Sequence, residues 1–332
     1  MSISVIDPFG VADDPTMPWL ARALNPHEAR RQFECRLGGV QIRAIRVTRY
    51  KPGRRCLIEY DLEVGQPNAP LQTVVGKARA KGLDTSSYEV AKALWNSGFA
   101  SDSEDAVSVP RPIGIIPEFQ MWFQHKVPGV TATRLLGDAG GVALARRIAE
   151  AIHKLHQARI PAHRRHTMAD EVRILHERLS LVAQMQPQWA QRLDHLLVSC
   201  DRLRASVPDP SPCGIHRDFY PDHVIVDGPR LYLLDFDLYC EGDPALDIGN
   251  FLGHLLEQSL RMFGDRNVLS DRAEVLEERF VELSGDGNRA AVRAYTTLTL
   301  VRHIYLSTQF SERSPFTEKV LELSEELLGV KQ

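Results

Sequence analysis

The sequence lacks the signals of several common protein classes. No apolar run approaches the roughly 20 residues that a membrane-spanning helix needs, and the N-terminal stretch MSISVIDPFGVADDP has neither the basic nor the apolar region of a signal peptide. The five cysteines form no CxxC pair, which argues against a zinc site or a disulfide framework. A formal net charge of −3 excludes the basic excess of a general nucleic-acid binder. We therefore expect a cytoplasmic protein, a monomer or homodimer, with neither nucleic acid nor membrane as partner.

Residues 1–127 are rich in predicted strands. The runs VQIRAIRVTRY and RCLIEYDLEV flank the turn-forming residues 51–54, which predicts a hairpin. LQTVVGKARA is a third strand, and the helix SSYEVAKALWNSG follows it, with Ser86 or Ser87 as its N-cap. PRPIGIIP and FQMWFQHKV are two further strands. We expect an N-terminal lobe made of an antiparallel sheet and one helix.

Residues 128–332 change to helical periodicity. Three segments carry apolar residues at helical spacing, and three further helices follow residue 265. A single β island, residues 213–237, lies between these two helical blocks. The predicted fold class is α+β, with a small antiparallel-sheet lobe, residues 1–127, and a larger, mostly helical lobe, residues 128–332.

The β island brings chemical groups together. Residues 224–226 and 231–234 are short apolar strands, and residues 227–230 form the turn between them. A hairpin of this length places the start of its first strand beside the end of its second, so His223 and Asp235 should be neighbours. Asp218 lies in the loop that leads into the same end of the hairpin.

This set suits phosphoryl transfer. One carboxylate can orient the attacking hydroxyl and accept its proton, while the other groups hold a divalent metal ion against the phosphate oxygens. The alternative is that Asp218 and Asp235 only cap turns at the ends of strands. Their spacing by one hairpin, after the tripeptide HRD, favours the chemical role.

The motifs HRDFYPDHV, LLDFD and GDPALDIGNFL resemble the aminoglycoside phosphotransferase and choline kinase family, which is related to the protein kinases. The resemblance implies a two-lobed kinase-like fold and transfer of the terminal phosphoryl group of ATP or GTP to a hydroxylated small molecule, with Mg²⁺ as the metal. By position, Asp218 would be the catalytic base and Asp235 a metal ligand. Asp247 would be the buried residue that ties its helix to the catalytic loop.

His223 departs from the family pattern, which has Asn as the second metal ligand. A neutral imidazole can ligate a divalent ion, although Mg²⁺ prefers oxygen donors. The substitution is compatible with weakened catalysis, with a preference for Mn²⁺, or with simple tolerance. Macrolide phosphotransferases, a branch of the family, resemble this chain in having His at that position.

The N-terminal lobe should hold the nucleotide. Lys77 resembles the strand lysine that contacts the α and β phosphates, and Glu89 is the expected partner of its ammonium group, with Asp84 as a competitor. Gly53 and Arg54 occupy the place of a phosphate-covering loop, although the sequence has no GxGxxG. We also expect the backbone from Gln124 to Lys126 to form hydrogen bonds with the nucleotide base.

Three rival functions remain open, and a metal-dependent hydrolase that uses the same ligands is the most remote of them. A nucleotide-binding pseudokinase that acts as a regulatory module would explain His223 and the absent glycine-rich loop. A protein kinase is disfavoured because the sequence has no A-P-E segment, and because residues 235–247 leave no room for a peptide-docking activation loop. The identity of the acceptor substrate does not follow from the sequence.

Overall fold

The computed structural model describes residues 3–65, 70–208 and 210–330. The contacts divide the chain into two compact units, Met1–Pro128 and Gly129–Gln332, whereas the sequence prediction has its boundary after Val127. The α+β class is confirmed.

The first unit is built on a six-stranded sheet with the order β1-β2-β3-β4-β7-β6. Its neighbouring strands are antiparallel, except that β1 runs parallel to β2. The strands of this unit are β1 (Ser4–Ile6), β2 (Val40–Lys51), β3 (Arg55–Val64), β4 (Gln72–Arg79), β5 (Val107–Ser108), β6 (Pro112–Ile116) and β7 (Met121–His125).

The predicted hairpin at residues 51–54 is present between β2 and β3. Lys51 pairs with Arg55, and the Arg54 amide donates a hydrogen bond to the Lys51 carbonyl at 3.0 Å. Gly53 has a φ of +62°, in the left-handed region that favours glycine. The Pro52-Gly53 pair therefore provides the local conformation that reverses the chain.

The described residues of the first unit contain three α-helices, so the prediction of one helix was wrong. Besides α3 (Thr85–Asn96) it has α1 (Trp19–Leu24) and α2 (Pro26–Leu37). Phe33 of α2 packs edge-on against Tyr60 and Phe123, with ring centroids 5.0 and 5.3 Å apart, so that α2 covers one face of the sheet.

The caps of these helices follow from local sequence. Asn25 caps α2 by accepting hydrogen bonds from the amides of His27 and Glu28, and a proline occupies the first helical turn. Asp84, rather than Ser86 or Ser87, is the N-cap of α3, because its carboxylate accepts the Ser87 amide at 3.1 Å.

The second unit is mostly helical. The three segments with apolar residues at helical spacing form α5, α6 and α7, and the three helices expected after residue 265 are α9, α10 and α11. The helices of this unit are α4 (Ala132–Leu135), α5 (Gly141–Gln157), α6 (Met168–Met185), α7 (Ala190–Ser206), α8 (Pro244–Phe263), α9 (Ser270–Ser284), α10 (Arg289–Thr308) and α11 (Thr317–Leu327). No helix in the described ranges is long and apolar enough to cross a membrane.

Helices α8 and α10 pack unusually closely at two glycines of α8. A Cβ added at Gly249 would lie 2.4 Å from the Cβ of Tyr295, and one added at Gly253 would lie 2.6 Å from the Cγ2 of Thr299. Both distances are far below van der Waals contact. The four-residue spacing of these glycines keeps both on the face of α8 that meets α10.

The β island forms two small sheets in the second unit. β10 (Val224–Asp227) pairs antiparallel with β11 (Arg230–Leu233) and with β8 (Val130–Thr131), while β9 (Cys213–Ile215) pairs with β12 (Cys240–Gly242). Asp227 pairs directly with Arg230, and Gly228 in the two-residue turn has a φ of +53°. This register brings the residues before β10 next to those after β11.

Candidate active site

The loop that contains Asp218 is held by one buried carboxylate. Asp247, in the first turn of α8, is fully buried and accepts hydrogen bonds from the amides of His216 at 2.9 Å and Arg217 at 2.6 Å. His156 of α5 adds a third bond, from its Nε2 to Asp247 Oδ2 at 2.9 Å. Asp247 thus links its helix to the loop that contains Asp218, as the family resemblance implies. His156 has a structural role, because it holds the Asp247 carboxylate.

A second residue of α8 secures the same loop one turn later. The side-chain amide of Asn250 donates a hydrogen bond to the Phe219 carbonyl at 2.9 Å. Between these two anchors, Arg217 has a φ of +70°, a conformation that costs a non-glycine residue about 1 kcal/mol. The surrounding hydrogen bonds therefore hold the residue before Asp218 in a backbone conformation that it would not adopt alone.

His223 lies at the start of the hairpin, and its ring orientation is set by a backbone bond. Its Nδ1 is 2.7 Å from the carbonyl oxygen of Asp218. Since a carbonyl only accepts, Nδ1 carries the hydrogen, and a neutral ring then has its lone pair on Nε2. That Nε2 is 3.7 Å from Oδ2 of Asp235.

The surroundings of His223 favour the neutral ring. The side chain is 9% exposed and lies near two rings, with centroid distances of 4.1 Å to Tyr220 and 5.6 Å to His216. Burial lowers the pKa of His223, and although Asp218 and Asp235 oppose this effect, burial prevails. The lone pair on Nε2 is therefore available to a cation at neutral pH.

The end of the second strand is fixed beside His223. The ring Nε2 of His216 donates to the Leu234 carbonyl at 2.7 Å, and the Leu234 amide donates to the His223 carbonyl at 2.9 Å. Asp235 follows directly, with a φ of +63° that turns the chain out of the strand. The predicted neighbourhood of His223 and Asp235 is thus produced by the hairpin and by His216 together.

The two donor atoms suit a divalent ion. Two ligands that are each about 2.1 Å from one ion can be at most about 4.2 Å apart, and the observed 3.7 Å meets this limit. Within the described ranges, no cluster of three or more His, Cys, Asp or Glu residues could hold a metal ion. Mg²⁺ usually takes one or two protein ligands, with waters and substrate phosphates for the rest. An incomplete protein shell is therefore compatible with such an ion.

Asp218 differs from these two residues in being accessible. Its side chain is 42% exposed, and its Oδ2 is 3.9 Å from Nδ1 of His223, beyond hydrogen-bonding distance. The histidine bonds to the backbone carbonyl of Asp218 instead. The carboxylate can therefore receive a proton from a molecule in solution.

In the first unit, Lys77 lies in the middle of β4. It pairs with Leu57 and with Trp122, and its ammonium group is 4.8 Å from the centroid of the Trp122 ring. Glu89 is an exposed residue of α3, and its pairing with Lys77 stays a prediction. The competitor Asp84 caps α3 and forms an ion pair with Arg79 at 3.1 Å.

Gln124 and Lys126 lie at the end of β7. Gln124 pairs with Val75, two residues from Lys77, so the side chains of Gln124 and Lys77 share one face of the sheet. The Lys126 ammonium group is 2.7 Å from Glu59, and the Lys126 amide donates to the Thr73 carbonyl at 2.8 Å.

These bonds limit which backbone groups of this segment could contact a base, and the contact itself stays a prediction. The amides of His125 and Lys126 already donate to the carbonyls of Arg111 and Thr73, so neither is available to a nucleotide base. The next amide, that of Val127, has no hydrogen-bond partner in the part of the chain that the structure describes. Gly53 and Arg54 lie exposed at the tip of the first hairpin.

Three residues of the second-unit site were not predicted: His216 as a strand anchor, Tyr220 as the ring against His223, and Asn250. Asn250 lies three residues after Asp247 and thus on the same helix face, a spacing that is visible in LDIGN. The sequence shows no comparable signal for the ring contact of Tyr220.

Comparison with known proteins shows the family of the chain. A model of the phosphotransferase enzyme family matches residues 87–295, and the chain belongs to this family. The matched range includes Asp218, His223 and Asp235, and it begins after Lys77. The family resemblance drawn from the sequence motifs is thereby confirmed. No curated protein sequence matches the chain.

Solved structures share the fold at low sequence identity. Aminoglycoside phosphotransferase APH(4)-Ia is 14% identical with a TM-score of 0.61, over 91% of this chain and 99% of that one. A choline/ethanolamine kinase family protein from Mesorhizobium loti is 13% identical with a TM-score of 0.55, over 91% and 94%. Amicoumacin kinase hAmiN is 16% identical with a TM-score of 0.57, over 84% and 88%.

Proposed function

We propose that the protein transfers the terminal phosphoryl group of ATP or GTP to a hydroxyl group of a small molecule. The observation that carries this proposal is the pair of donor atoms, His223 Nε2 and Asp235 Oδ2, placed at the end of one hairpin with the accessible Asp218 beside them. Phosphoryl transfer needs little covalent chemistry from the protein, and depends on positioning and charge stabilisation.

His223 and Asp235 would hold a divalent ion, Mg²⁺ or Mn²⁺. When bound, such an ion neutralises negative charge on the phosphate oxygens during transfer. Structures of relatives support this assignment. A thermostable variant of APH(4)-Ia has been solved with ADP and hygromycin B, and amicoumacin kinase has been solved with AMP-PNP, Ca²⁺ and Ami.

Asp218 would act as the general base. Its carboxylate is exposed enough to meet an acceptor hydroxyl and is not engaged by His223, so it can orient the hydroxyl and accept its proton. The anchors on Asp247 and Asn250 limit the motion of the loop, which keeps the carboxylate in position. In the first unit, Lys77 would neutralise phosphate charge, supported by Glu89, with Gly53 and Arg54 near the phosphates and Gln124 to Lys126 along the base.

A catalytically silent, nucleotide-binding pseudokinase is the less favoured function. His223 was the reason to consider it. The Nε2 lone pair of this ring, however, lies beside the Asp235 carboxylate, so the ring can replace an asparagine oxygen as a ligand of the same metal ion. The presence of both carboxylates and the membership of a phosphotransferase family favour an active enzyme.

The test is nucleotide consumption against a panel of hydroxylated compounds, with ATP and with GTP. In the presence of an acceptor, Asp218→Ala should lower turnover by about 10²–10⁴-fold, since a general base typically contributes this much. Nucleotide affinity should stay within a few-fold, because Asp218 is not expected to touch the nucleotide.

Asp235→Asn is the contrasting variant. It should weaken the Mg²⁺-dependent part of nucleotide binding, measured by calorimetry with and without the ion, because the ion bridges protein and phosphates. Turnover by Asp218→Ala at the wild-type rate would refute the assignment of the base. Equal metal dependence in wild type and Asp235→Asn would remove Asp235 from the metal site, and Asp237 would then become the candidate.

A further inference from the structure

The second unit contains a cavity of about 650 Å³ between the start of α6, the end of α7 and the start of α8. Small-molecule sites typically measure about 300–1,000 Å³, so the volume is in the range for an organic ligand. None of Asp218, His223 and Asp235 lines it. The cavity is therefore separate from the candidate active site.

The base of the cavity is polar and buried. Its lining includes His166, Asp243 and Tyr295, which are 6%, 2% and 1% exposed. His166 Nε2 is 2.6 Å from a carboxylate oxygen of Glu171, which can only accept, so a neutral ring has its lone pair on Nδ1. That atom has no hydrogen-bond partner among the residues that the structure describes.

Asp243 adds a second acceptor at this base. Its carboxylate accepts the Ala245 amide at 2.9 Å, which leaves lone pairs for another donor. A ligand group that donates hydrogen bonds and carries positive charge would satisfy both Asp243 and His166.

The mouth of the cavity has the opposite character. Arg165 and Arg204 are both exposed there, and a guanidinium group binds a carboxylate or a phosphate through paired hydrogen bonds. The carboxylate of Asp201 also lines the mouth, but it is 3.1 Å from His176 Nε2. Arg165 is 3.8 Å from Glu241, a weak contact that a bound anion can replace. Between mouth and base, the walls are largely apolar, with Met168, Ala169 and Ala205 among the lining residues. A complementary ligand thus has a donor at one end and an anion at the other.

A continuous hydrogen-bonded chain leads from the base of this cavity to the loop that contains Asp218. His166 bonds Glu171, and the second carboxylate oxygen of Glu171 is 3.1 Å from Arg302 of α10. Arg302 bonds the side-chain oxygen of Asn250, and Asn250 holds the Phe219 carbonyl.

The middle of this chain is charged and buried. Burial alone would raise the pKa of Glu171, but the charge of Arg302 and the hydrogen bond from His166 lower it below its usual value. Glu171 is therefore ionised at neutral pH, and a change at His166 alters the position and charge balance of the Glu171–Arg302 pair.

We propose that this cavity is an effector site for a small amphoteric molecule, with a protonated amine at Asp243 and His166 and a carboxylate or phosphate at Arg165 and Arg204. Its occupancy is transmitted to the catalytic loop through Glu171, Arg302 and Asn250. The consequence for activity rests on the proposed function, whereas the structural coupling does not.

Site-directed tethering tests the proposal without knowledge of the natural ligand. Cys35 is exposed, whereas burial raises the pKa of Cys56, Cys200 and Cys213 to about 12 and that of Cys240 to about 11, which suppresses their reactive thiolates. Cys213 is partly exposed and follows the lining residue Pro212, so it is replaced as well: in a Cys35→Ser, Cys213→Ser background, Ala205→Cys places a single reactive thiol on the cavity wall. Arg202→Cys, on the exposed surface of the same helix and outside the cavity lining, is the matched control.

Each variant is labelled with 2-aminoethyl, ethyl or 2-sulfonatoethyl methanethiosulfonate, and hydrogen exchange of residues 216–219 is followed by mass spectrometry. The aminoethyl label on Ala205→Cys should change this exchange at least threefold, and the ethyl and sulfonatoethyl labels should have less effect. Labelled Arg202→Cys should exchange like the unlabelled protein. Adding Glu171→Gln to Ala205→Cys should abolish the response.

Complete labelling of Ala205→Cys with unchanged exchange in the loop would overturn the coupling. Equal effects of the three labels would overturn the assigned ligand chemistry. A response that survives Glu171→Gln would overturn the transmitting chain. If the exchange responds but no compound supports turnover in the unlabelled protein, the proposed function fails and the effector site stands.

Discussion

The buried imidazole of His303 should make the stability of this protein depend on pH. His303 lies on α10, is fully buried, and has no hydrogen-bond partner for either ring nitrogen among the described residues. Burial lowers its pKa well below the usual value, and the nearby charges of Arg302, Arg313 and Arg261 lower it further. The folded protein therefore keeps this ring neutral at a pH at which the unfolded chain protonates it.

The sign and size of the effect follow from linkage. A histidine whose folded pKa is lowered contributes no penalty above its unfolded pKa of about 6.5, and stability is lost as the pH falls below that value. The loss approaches about 1.4 kcal/mol per pH unit, so a ring that stays neutral in the folded state costs about 2 kcal/mol between pH 7.5 and pH 5.0.

His303→Leu should remove this contribution. At pH 7.5 the variant should be about as stable as the wild type, since the leucine replaces a buried ring that has unsatisfied nitrogens. At pH 5.0 it should be more stable by about 2 kcal/mol. Part of the acid sensitivity should persist, because burial also lowers the pKa of His254 well below its usual value.

Urea denaturation at pH 7.5 and 5.0, followed by circular dichroism, measures the difference. His195→Gln is the control, because His195 is exposed and its replacement should leave the pH dependence of the wild type. If His303→Leu loses as much stability on acidification as the wild type, the folded protein accommodates the charged ring, and the reasoning from burial is refuted.

Two further variants test the active site and the packing of the helices. In the wild type, the rate should fall on acidification below pH 6.5, because burial lowers the pKa of His223. His223→Asn should keep phosphoryl transfer and should flatten this acid limb of the pH–rate profile. Mn²⁺ should support the wild type at least as well as Mg²⁺, and an acid limb that survives the substitution would exclude the imidazole as its origin. Gly253→Ala should destabilise the protein by about 1–3 kcal/mol through overpacking against Thr299. Gly287→Ala is the control and should not destabilise it, because a Cβ added at Gly287 meets no atom within 4 Å. Equal urea midpoints for the two variants would contradict the close packing.

The sequence by itself determined the central hairpin and its neighbours. Two short apolar strands joined by a turn with Gly228 and Pro229 predict an antiparallel hairpin, and the observed register brings His223 beside Asp235. His223 and Asp235 are close together in the sequence, so the turn residues and the apolar pattern of the two strands were sufficient to predict that they are neighbours. The family motifs lie in the same segment, which is why the resemblance could be recognised there.

The first helices of the chain were missed for the opposite reason. α1 has six residues, and α2 is rich in charged side chains, so neither has a long apolar face. The Asn25-Pro26 start signal was readable, but the reason for the helix is tertiary: Phe33 packs on Tyr60 and Phe123 of the sheet. Packing of this kind commonly decides whether a marginal helix forms.

Only the tertiary structure decided how the loop around Asp218 is held. Asp247 accepts amides that lie about 30 positions earlier in the chain, and the backbone carbonyl of Asp218 selects the tautomer of His223. The same is true of the cavity lined by His166 and Asp243, whose residues come from separate segments. Sequence periodicity reports which face of an element is buried, but contacts between distant elements depend on how the whole chain packs, and these contacts orient the groups that react.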